Sequence, residues 1–429
     1  MPKRRPMTAA PHPLRIRDFR FYWTARFAST VAQVAMIVVI GWQVYDIARR
    51  SMDVEQAALQ LGFIGLVQFV PLFALTLVTG WVADRVDRRW VARASIGLEL
   101  LCALALAWLT WTGQVTLAWL FVVAALLGVA RAFAGPALGA LAPNLVPRES
   151  LPRAIALSSI AWQTGAVAGP ALGGYLYAWD PHMPYAVAAG LFALSLFCML
   201  MIRPVARSAI AGSANPWRQM VDGLHYVRRN RLVLGAISLD LFAVLLGGAT
   251  AMLPVFARDV LHSDATALGH LRAAPAVGAT LTALYFSWRP LKRDVGTKML
   301  IAVAVFGAAT VAFGLSRNML LSVTCLAVLG SADMVSVYVR QSLIQLYTPD
   351  AMRGRVGAAS TLFISASNEL GEAESGFLAA LIGPVVAVVA GGVGAIAVTL
   401  LWARWFPELR RARTFDPPEP EAREGATPA

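Results

Sequence analysis

The feature that most constrains this chain is a succession of long apolar segments. Crossing a bilayer takes about 20 mostly apolar residues, and the 429-residue chain contains twelve such segments. Only 14% of its residues are charged, whereas soluble domains carry roughly 25%. We therefore expect an all-α integral membrane protein with twelve transmembrane helices. The predicted spans are 21–47, 59–82, 91–112, 116–141, 155–178, 184–202, 232–257, 265–288, 297–316, 319–346, 356–382 and 385–405.

The basic residues are distributed unevenly around these spans. With the N-terminus taken as cytoplasmic, twenty-nine of the 37 Lys and Arg residues fall on its side, five on the other side and three inside spans. An excess of Lys and Arg in cytoplasmic loops is the positive-inside rule, so we expect both termini in the cytoplasm. The net charge of +13 then reflects topology, and no nucleic-acid partner is expected.

The longest hydrophilic interruption divides the spans into two groups of six. Its second part, Pro216–Arg229, is predicted to form an amphipathic helix on the membrane surface. The apolar face of that helix contains Trp217, Met220, Val221, Leu224 and Val227. The predicted division is a cytoplasmic N-terminal segment (1–18), a six-helix bundle (19–202), a cytoplasmic linker (203–231), a second six-helix bundle (232–406) and a cytoplasmic tail (407–429), disordered from Phe415.

The two halves are related by an offset of 202 residues. This offset places Pro147 on Pro349, and it carries two glycines of the fifth span, Gly169 and Gly174, onto glycines of the eleventh. Parallel repeats of this kind are typical of transporters built from two bundles. The sequence therefore predicts two structurally equivalent halves.

A charged motif follows the second predicted span, reading Gly-Trp-Val-Ala-Asp-Arg-Val-Asp-Arg-Arg from Gly80 to Arg89. It resembles the loop 2–3 motif of the major facilitator superfamily, G-x-L-A-D-R-x-G-R-[RK], with Asp87 in place of the second glycine. The resemblance implies a cytoplasmic gate that pairs charges across the gap between the bundles. The alternative is a basic loop that only sets topology. The gate residues would be Gly80, Asp84, Arg85, Arg88 and Arg89.

The fifth span resembles the G-x-x-x-G-P-x-x-G-G motif that is associated with exporters of the superfamily. Small residues let helix backbones approach each other, and proline kinks a helix. Generic helix packing is the alternative explanation for the glycines alone. The motif residues are Gly165, Gly169, Pro170, Gly173 and Gly174.

Several longer strings resemble one branch of the superfamily, the enterobactin-exporter-like transporters and related drug effluxers. Among them are WQVYD at 42–46 and LDLFAVLLGGATAMLPVFARDVL at 239–261. The resemblance runs from about Leu14 to Trp405. It implies the twelve-helix major facilitator fold and an export function, and it leaves the substrate open.

Charged residues inside the spans are the candidate transport residues, because a charge in the membrane interior is costly unless it faces a cavity or a partner. Arg26, Arg131 and Arg340 are predicted to line the substrate cavity, and Arg131 begins an Arg-x-x-x-Gly element that resembles one in the family. A structural role in helix packing is the alternative for these arginines.

The acidic residues in the spans outnumber the basic ones, and burial favours protonation of a carboxylate. Asp240, Asp333 and Glu369 are predicted to carry protons, whereas Glu99 is left open between transport and structure. Asp333 and Arg340, seven residues apart, share one helix face. The repeat offset also places Arg131 on Asp333, so opposite charges are expected at equivalent depths.

Together these features predict a secondary exporter of a small organic molecule in the bacterial inner membrane, driven by proton antiport. The expected partners are the substrate, protons and the lipid bilayer, and a monomer is expected. An uptake symporter of the same fold and a non-transporting scaffold or sensor remain open. A membrane-embedded enzyme is disfavoured, because no H-E-x-x-H or G-x-S-x-G motif occurs. No cofactor, metal or nucleotide hydrolysis is expected. The substrate's charge is left open. Arg26 and Arg131 in the N-terminal half suit an anionic substrate, whereas the surplus of acids in the C-terminal half suits a cationic one.

Overall fold

The computed structural model describes residues 12–204, 216–289, 291 and 293–415, and every regular element in these ranges is a helix. The α-helices are α1 (Arg17–Ala48), α2 (Val54–Arg85), α3 (Arg88–Trp111), α4 (Leu117–Leu141), α5 (Leu151–Trp179), α6 (Met183–Met201), α7 (Pro216–Arg229), α8 (Arg231–Leu246), α9 (Leu253–Val255), α10 (Ala265–Trp288), α11 (Val295–Leu315), α12 (Met319–Tyr347), α13 (Asp350–Ile382), α14 (Pro384–Trp405) and α15 (Pro407–Arg411).

The long helices coincide with the twelve predicted spans. Nine helical segments of the described chain are long and apolar enough to cross a membrane. The other three, α5, α10 and α13, contain more small and polar residues, and each packs against a helix of the opposite half. Large apolar side chains such as Leu101, Leu320 and Leu400 point outward and are more than half exposed, as a lipid-facing surface requires.

The long helices pack in two groups of six. In the first group, α1 packs against α5 and α6, α4 against α2 and α3, and α3 against α6. In the second, α12 packs against α10 and α11, α14 against α8 and α11, and α13 against α8. The groups meet along two seams, α2 with α13 and α5 with α10. The two seams are equivalent under the sequence repeat, since α2 and α5 correspond to α10 and α13.

One face of the molecule carries the start of α1 and the end of α14, and we call it the termini face; the opposite end is the far face. At the termini face, Arg231 at the start of α8 donates to the carbonyl oxygen of Trp405 at 2.9 Å. In the first bundle, Arg93 near the start of α3 donates to the carbonyl oxygen of Met199 at 3.0 Å. These bonds tie the first two turns of one helix to the end of its neighbour.

The seventh span is not one continuous helix, which the apolar pattern did not predict. Helix α8 stops at Leu246, and the chain continues through a 3₁₀ turn (Ala249–Met252), α9 and a π-helical turn (Phe256–Val260). The break falls at Gly247–Gly248, where neighbours approach closely. A Cβ on Gly248 would lie 2.6 Å from the Gly371 carbonyl oxygen, and one on Gly247 would lie 2.6 Å from the ring of Phe306.

Helix α7 (Pro216–Arg229) coincides with the predicted amphipathic surface helix. Val227 is 1% exposed and packs with Val233, Ile344 and Val356 of the second bundle. Val221 and Leu224 are exposed. The side chains of Trp217 and Met220, predicted for the same apolar face, lie outside the described part of the structure.

Part of the predicted tail is helical. Helix α15 packs against the start of α11, where the Gly296 amide donates to the Ala412 carbonyl oxygen at 3.0 Å. The Oε1 of Glu408 on α15 forms an ion pair with the Nε of Arg231 at 3.2 Å. Residues 416–429, where disorder is predicted, lie outside the described residues.

Candidate transport site

A cavity of about 480 Å³ lies between the two bundles. Its volume falls within the range of about 300–1,000 Å³ that is usual for small-molecule sites. From the first bundle the wall contains Ile37, Gln68 and Arg131. From the second bundle, polar and charged members of the wall are Asp240, Thr250, Asp333, Arg340, Asn368 and Glu372.

An ion pair joins two helices of the second bundle in this wall. The guanidinium of Arg340 on α12 contacts the carboxylate of Asp240 on α8. Arg340 is 2% exposed and Asp240 is 5% exposed. Removing one partner of such a buried pair leaves the other charge uncompensated. The pair therefore fixes α8 against α12 beside the cavity.

Arg131 is held in position from α2. Its Nη1 donates to the Oε1 of Gln68 at 3.3 Å. One turn earlier, Gly128 lets α4 approach α2 closely, since a Cβ there would lie 2.6 Å from the Gln68 carbonyl oxygen. The sequence pattern missed Gln68, because a neutral side chain in a span carries no charge signal.

Asp333 lies in the opposite wall, two helical turns before Arg340 on α12. Arg131 and Asp333 therefore face one cavity from different bundles, and the repeat offset relates their positions. The arrangement gives the cavity one cationic wall and one acidic wall.

Glu99 has a neutral partner in the first bundle. The Nε2 of Gln33 on α1 donates to the Oε1 of Glu99 on α3 at 2.7 Å, and Glu99 is 1% exposed. The carboxylate is also within electrostatic range of Arg131. An amide donor 66 residues away in sequence gives no pattern by which it could be recognised.

Two other predicted transport residues, Arg26 and Glu369, are not among the residues that line the cavity in the described structure. Arg26 lies near Tyr22 on α1 and is not part of the cavity wall in the described structure. The backbone of Glu369 lies in α13, and its side chain lies outside the described part. Glu372, one turn further, lines the cavity with its Oε1 3.8 Å from the Nη2 of Arg272.

The predicted gate motif spans the end of α2 and the start of α3. The side chains of Asp84 and Arg85 and the surroundings of Gly80 lie outside the described part, so their pairing stays a prediction. Arg88 is partly buried at the first position of α3. Arg89 points to α6 of its own bundle, where its Nη1 reaches the Ile202 carbonyl oxygen at 3.4 Å.

Asp87, which stands where the family motif has glycine, caps α3. Its Oδ1 accepts from the Arg89 amide at 3.0 Å, and its Oδ2 accepts from the Arg89 Nη2 at 2.6 Å. The hydrogen bonds from the Arg89 side chain hold the pKa of Asp87 below its usual range. Since Asp87 has φ −59°, this turn does not require glycine.

Charged residues also join the bundles at the far face, and we call this cluster the far-face latch. The Arg49 Nη2 at the end of α1 lies 3.0 Å from the Asp259 Oδ1. The Tyr45 hydroxyl donates to the Asp259 Oδ2 at 2.5 Å. The Arg258 Nη1 lies 2.5 Å from the Asp46 Oδ1. The π-helical turn after α9 supplies both second-bundle residues.

Sequence reasoning missed this latch, although the signal was present. The string WQVYD ends in Asp46, and the string LPVFARDVL contains Arg258 and Asp259. Arg49 and Arg258 are two of the five basic residues that the predicted topology places on the side opposite the termini. Pairing them requires knowing that α1 and the broken seventh span end side by side.

The glycine motif of α5 has two packing roles. Gly165, Gly169 and Gly173 face α1 of the same bundle, where a Cβ on each would lie 2.9–3.1 Å from an α1 atom. Gly174 faces the other bundle, and a Cβ there would lie 2.6 Å from the Ala265 carbonyl oxygen of α10. Pro170 also lies at this seam, with its carbonyl oxygen close to Gly269.

The second seam is closed by the repeat-equivalent glycine. Gly376 of α13, equivalent to Gly174, meets Gly62 of α2 backbone to backbone. Next to this contact, the rings of Phe63 and Phe377 pack edge to face at 5.3 Å. Both seams are thus closed by glycine contacts in the half of the molecule nearest the far face.

Comparison with known proteins agrees with this architecture. Residues 8–417 match the profile of the transmembrane secretion effectors, MFS_3. The chain belongs to this family.

Curated relatives and solved structures extend the match over nearly the whole chain. The chain is 28% identical to the enterobactin exporter EntS of Escherichia coli O1:K1 (93% of this chain, 94% of that protein). It is 29% identical to the EntS of Citrobacter koseri (94% and 95%). The nucleoside transporter NupG has a TM-score of 0.70 at 14% identity (91% and 99%). An inward-facing bacterial homologue of the lysosomal transporter Spinster has a TM-score of 0.71 at 15% identity (92% and 98%). These matches confirm the predicted family and the major facilitator fold.

Proposed function

We propose that this transporter exports a small organic molecule from the cytoplasm across a bacterial inner membrane in exchange for protons. The observation that carries the proposal is the inter-bundle cavity with opposite charges on its two walls, closed at the far face by an ionic latch and two glycine seams. The exporter names of the curated relatives support the outward direction.

The orientation in the proposal places the termini face in the cytoplasm. The positive-inside distribution supports this assignment. The far face is then periplasmic, and closure there corresponds to a cavity that loads from the cytoplasm. Rocking the bundles about the cavity would break the latch and release the substrate outside, as alternating access requires.

Proton exchange is assigned to the acidic wall. Asp240 is paired with Arg340, so its charge is compensated, whereas Asp333 faces the cavity. Asp333 is therefore the first proton carrier in this proposal, and Asp240 and Glu369 remain secondary candidates. Protonation of Asp333 would remove the negative charge opposite Arg131 and so change the affinity of the cavity for substrate.

The substrate class follows from the same walls. Arg131, held by Gln68, suits an anionic group such as that of a siderophore, and the curated relatives are named as exporters of enterobactin. A drug-like cation at Asp333 is the second candidate, because the acidic wall favours it.

Everted membrane vesicles with an imposed pH gradient, acidic inside, test the proposal. We expect accumulation of a catecholate siderophore or a cationic dye that collapses when the gradient is dissipated. The variant Asp333→Asn should abolish the pH-driven component. Asp294→Asn, which changes an exposed carboxylate of a termini-face loop, is the matched control and should transport like the unmodified protein. Concentrative uptake by right-side-out vesicles would contradict export.

A further inference from the structure

A second cavity, of about 850 Å³, opens at the termini face of the second bundle, away from the transport cavity. It lies between the junction of α7 with α8, the end of α12 and the segment around α15. We call it the arginine pocket. Four arginines line it: Arg229, Arg231, Arg411 and Arg413.

The charge of this pocket is strongly unbalanced. In the described structure its wall contains one carboxylate, Glu408, and that carboxylate is paired with Arg231 at 3.2 Å. The side chains of Arg229, Arg411 and Arg413 are exposed and surround the same space. Three arginines therefore line one opening, and the single carboxylate of its described wall is paired with a fourth.

The backbone that carries these arginines is fixed. Arg231 donates to the Trp405 carbonyl oxygen at 2.9 Å, and the Tyr226 hydroxyl donates to the Tyr347 carbonyl oxygen at 2.9 Å. The Gly296 amide binds the Ala412 carbonyl oxygen, which anchors the chain immediately before Arg413. The backbone around the pocket is thus held by contacts within the protein.

The surroundings of the pocket are those of a membrane surface. Trp405, whose carbonyl oxygen binds Arg231, is 56% exposed, and Leu400 on the same helix is 68% exposed. Exposed tryptophan at a span end is typical of the membrane interface. A phosphate in the pocket would therefore lie at headgroup depth, with apolar helix surface beside it for acyl chains.

We propose that the arginine pocket binds the phosphate of an anionic phospholipid. Guanidinium groups match phosphate oxygens with paired hydrogen bonds, and basic pockets between spans on the cytoplasmic side bind lipid headgroups. The lipid would bridge α7, α8 and α15 and so clamp the linker to the second bundle. This inference rests on the proposed orientation of the termini face and not on the direction or coupling of transport.

The test uses the purified full-length protein in neutral detergent. Phosphatidylglycerol, phosphatidylcholine and inorganic phosphate are titrated separately, and binding is followed by native mass spectrometry and by thermal stability. We expect phosphatidylglycerol to bind and to raise the unfolding temperature, and the other two probes to do neither. The triple variant Arg229→Gln/Arg411→Gln/Arg413→Gln should weaken phosphatidylglycerol binding at least about tenfold, since each arginine near an anionic lipid surface contributes to binding.

A matched variant removes three exposed arginines of the same face outside the pocket, Arg15→Gln/Arg17→Gln/Arg20→Gln. Its affinity for phosphatidylglycerol should fall by no more than about twofold, because dispersed surface charges are screened. Equal losses in the two triple variants would overturn the proposal, because general surface charge would then explain binding. Stabilisation by inorganic phosphate equal to that by the lipid would overturn it in favour of a soluble anion. If the pocket triple variant does not fold, Arg411→Gln alone, with Arg17→Gln as its control, carries the same comparison.

Discussion

At the scale of single residues, Asp240 and Arg340 each depend on the other for charge compensation. We predict that Asp240→Asn lowers the free energy of unfolding by about 3–5 kcal/mol, because it leaves the buried Arg340 guanidinium without a counter-ion. The double variant Asp240→Asn/Arg340→Gln should recover most of that loss, since neither charge then remains buried. Unfolding of the purified protein in detergent measures both.

Asp333→Asn is the matched comparison for that prediction. It makes the same chemical change in the same cavity wall, at a carboxylate that faces the cavity. Its unfolding free energy should change by about 1 kcal/mol or less, as for most substitutions that break no buried pair. Equal destabilisation by the two Asp→Asn variants would show that the ion pair is not the stabilising feature at position 240.

Asp87 gives a prediction about pH. Its pKa is lowered by the hydrogen bonds from Arg89, so the stability it contributes is fully present above its unfolded pKa of about 4 and is lost as the pH falls through its lower folded pKa. Asp87→Ala should cost about 1 kcal/mol, as loss of a helix N-cap does. Thermal unfolding measures the difference in stability between this variant and the unmodified protein. That difference should stay constant from pH 5 to pH 8. A difference that changes within that window would contradict the assignment.

Sequence reasoning found relations within one helix and missed contacts between helices. Helical periodicity places Asp333 and Arg340 on one face, because that relation is internal to a helix. The pairing of Asp240 with Arg340, and of Gln33 with Glu99, depends on how helices are arranged in the bundle. Charge patterns in one sequence do not determine that arrangement, so these partners required the structure.

At the scale of helices, the α5 motif separates packing within a bundle from closure between bundles. We predict that Gly174→Ala shifts the protein away from the state closed at the far face, because a Cβ there would lie 2.6 Å from the α10 backbone. Gly169→Ala should instead lower stability without that shift, because it faces α1 of its own bundle. Hydrogen exchange of the far-face ends of α5 and α10 distinguishes the two effects.

Gly190→Ala is the control for both variants, since a Cβ at Gly190 on α6 has no atom within 4 Å. It should leave exchange at the far face unchanged and should stabilise α6 slightly, because alanine favours helix over glycine by about 1 kcal/mol. If Gly174→Ala matched this control, the inter-bundle role of Gly174 would be wrong.

Hydropathy predicted where the long helices lie but did not predict where one of them is interrupted. Apolar length located the twelve long helices, and nine segments of the described chain are long and apolar enough to cross a bilayer. It did not predict the break at Gly247–Gly248, because two glycines keep a span apolar. Their close contacts with α11 and α13 lie at the break and depend on how the helices are packed.

At the scale of the whole molecule, the same sequence repeat that relates the bundles also relates their two seams. Gly174 against α10 and Gly376 against α2 close the far face on both sides of the cavity. The far-face latch adds charge pairs between α1 and the broken seventh span. Closure at this face thus combines backbone contacts, which need small residues, with ion pairs, which can dissociate into water during rocking.

This combination leads to a prediction about the conformational equilibrium. The latch pairs are partly exposed, so we expect Arg49→Gln to cost about 1 kcal/mol or less and to raise the open-to-closed ratio at the far face by up to about fivefold. Asp259→Asn should have a similar effect, and the double variant should add little to either, because both break the same pair. The charge exchange Arg49→Asp/Asp259→Arg should restore part of the closure.

Distances between spin labels at Gln114→Cys and Arg317→Cys, in exposed far-face loops of different bundles, measure this ratio directly. The three native cysteines, Cys102, Cys198 and Cys325, are buried and are replaced by alanine in the labelled background. Glu55→Gln is the matched control, because Glu55 is an exposed carboxylate at the far-face start of α2 and is not part of the latch. Additive effects of Arg49→Gln and Asp259→Asn, or an equal shift in Glu55→Gln, would show that far-face charge in general, and not the latch, sets the equilibrium. Raising the ionic strength should shift the unmodified protein in the same direction as Arg49→Gln. The additional shift that Gly174→Ala causes should stay the same at high ionic strength, because salt screens ion pairs but not backbone contacts.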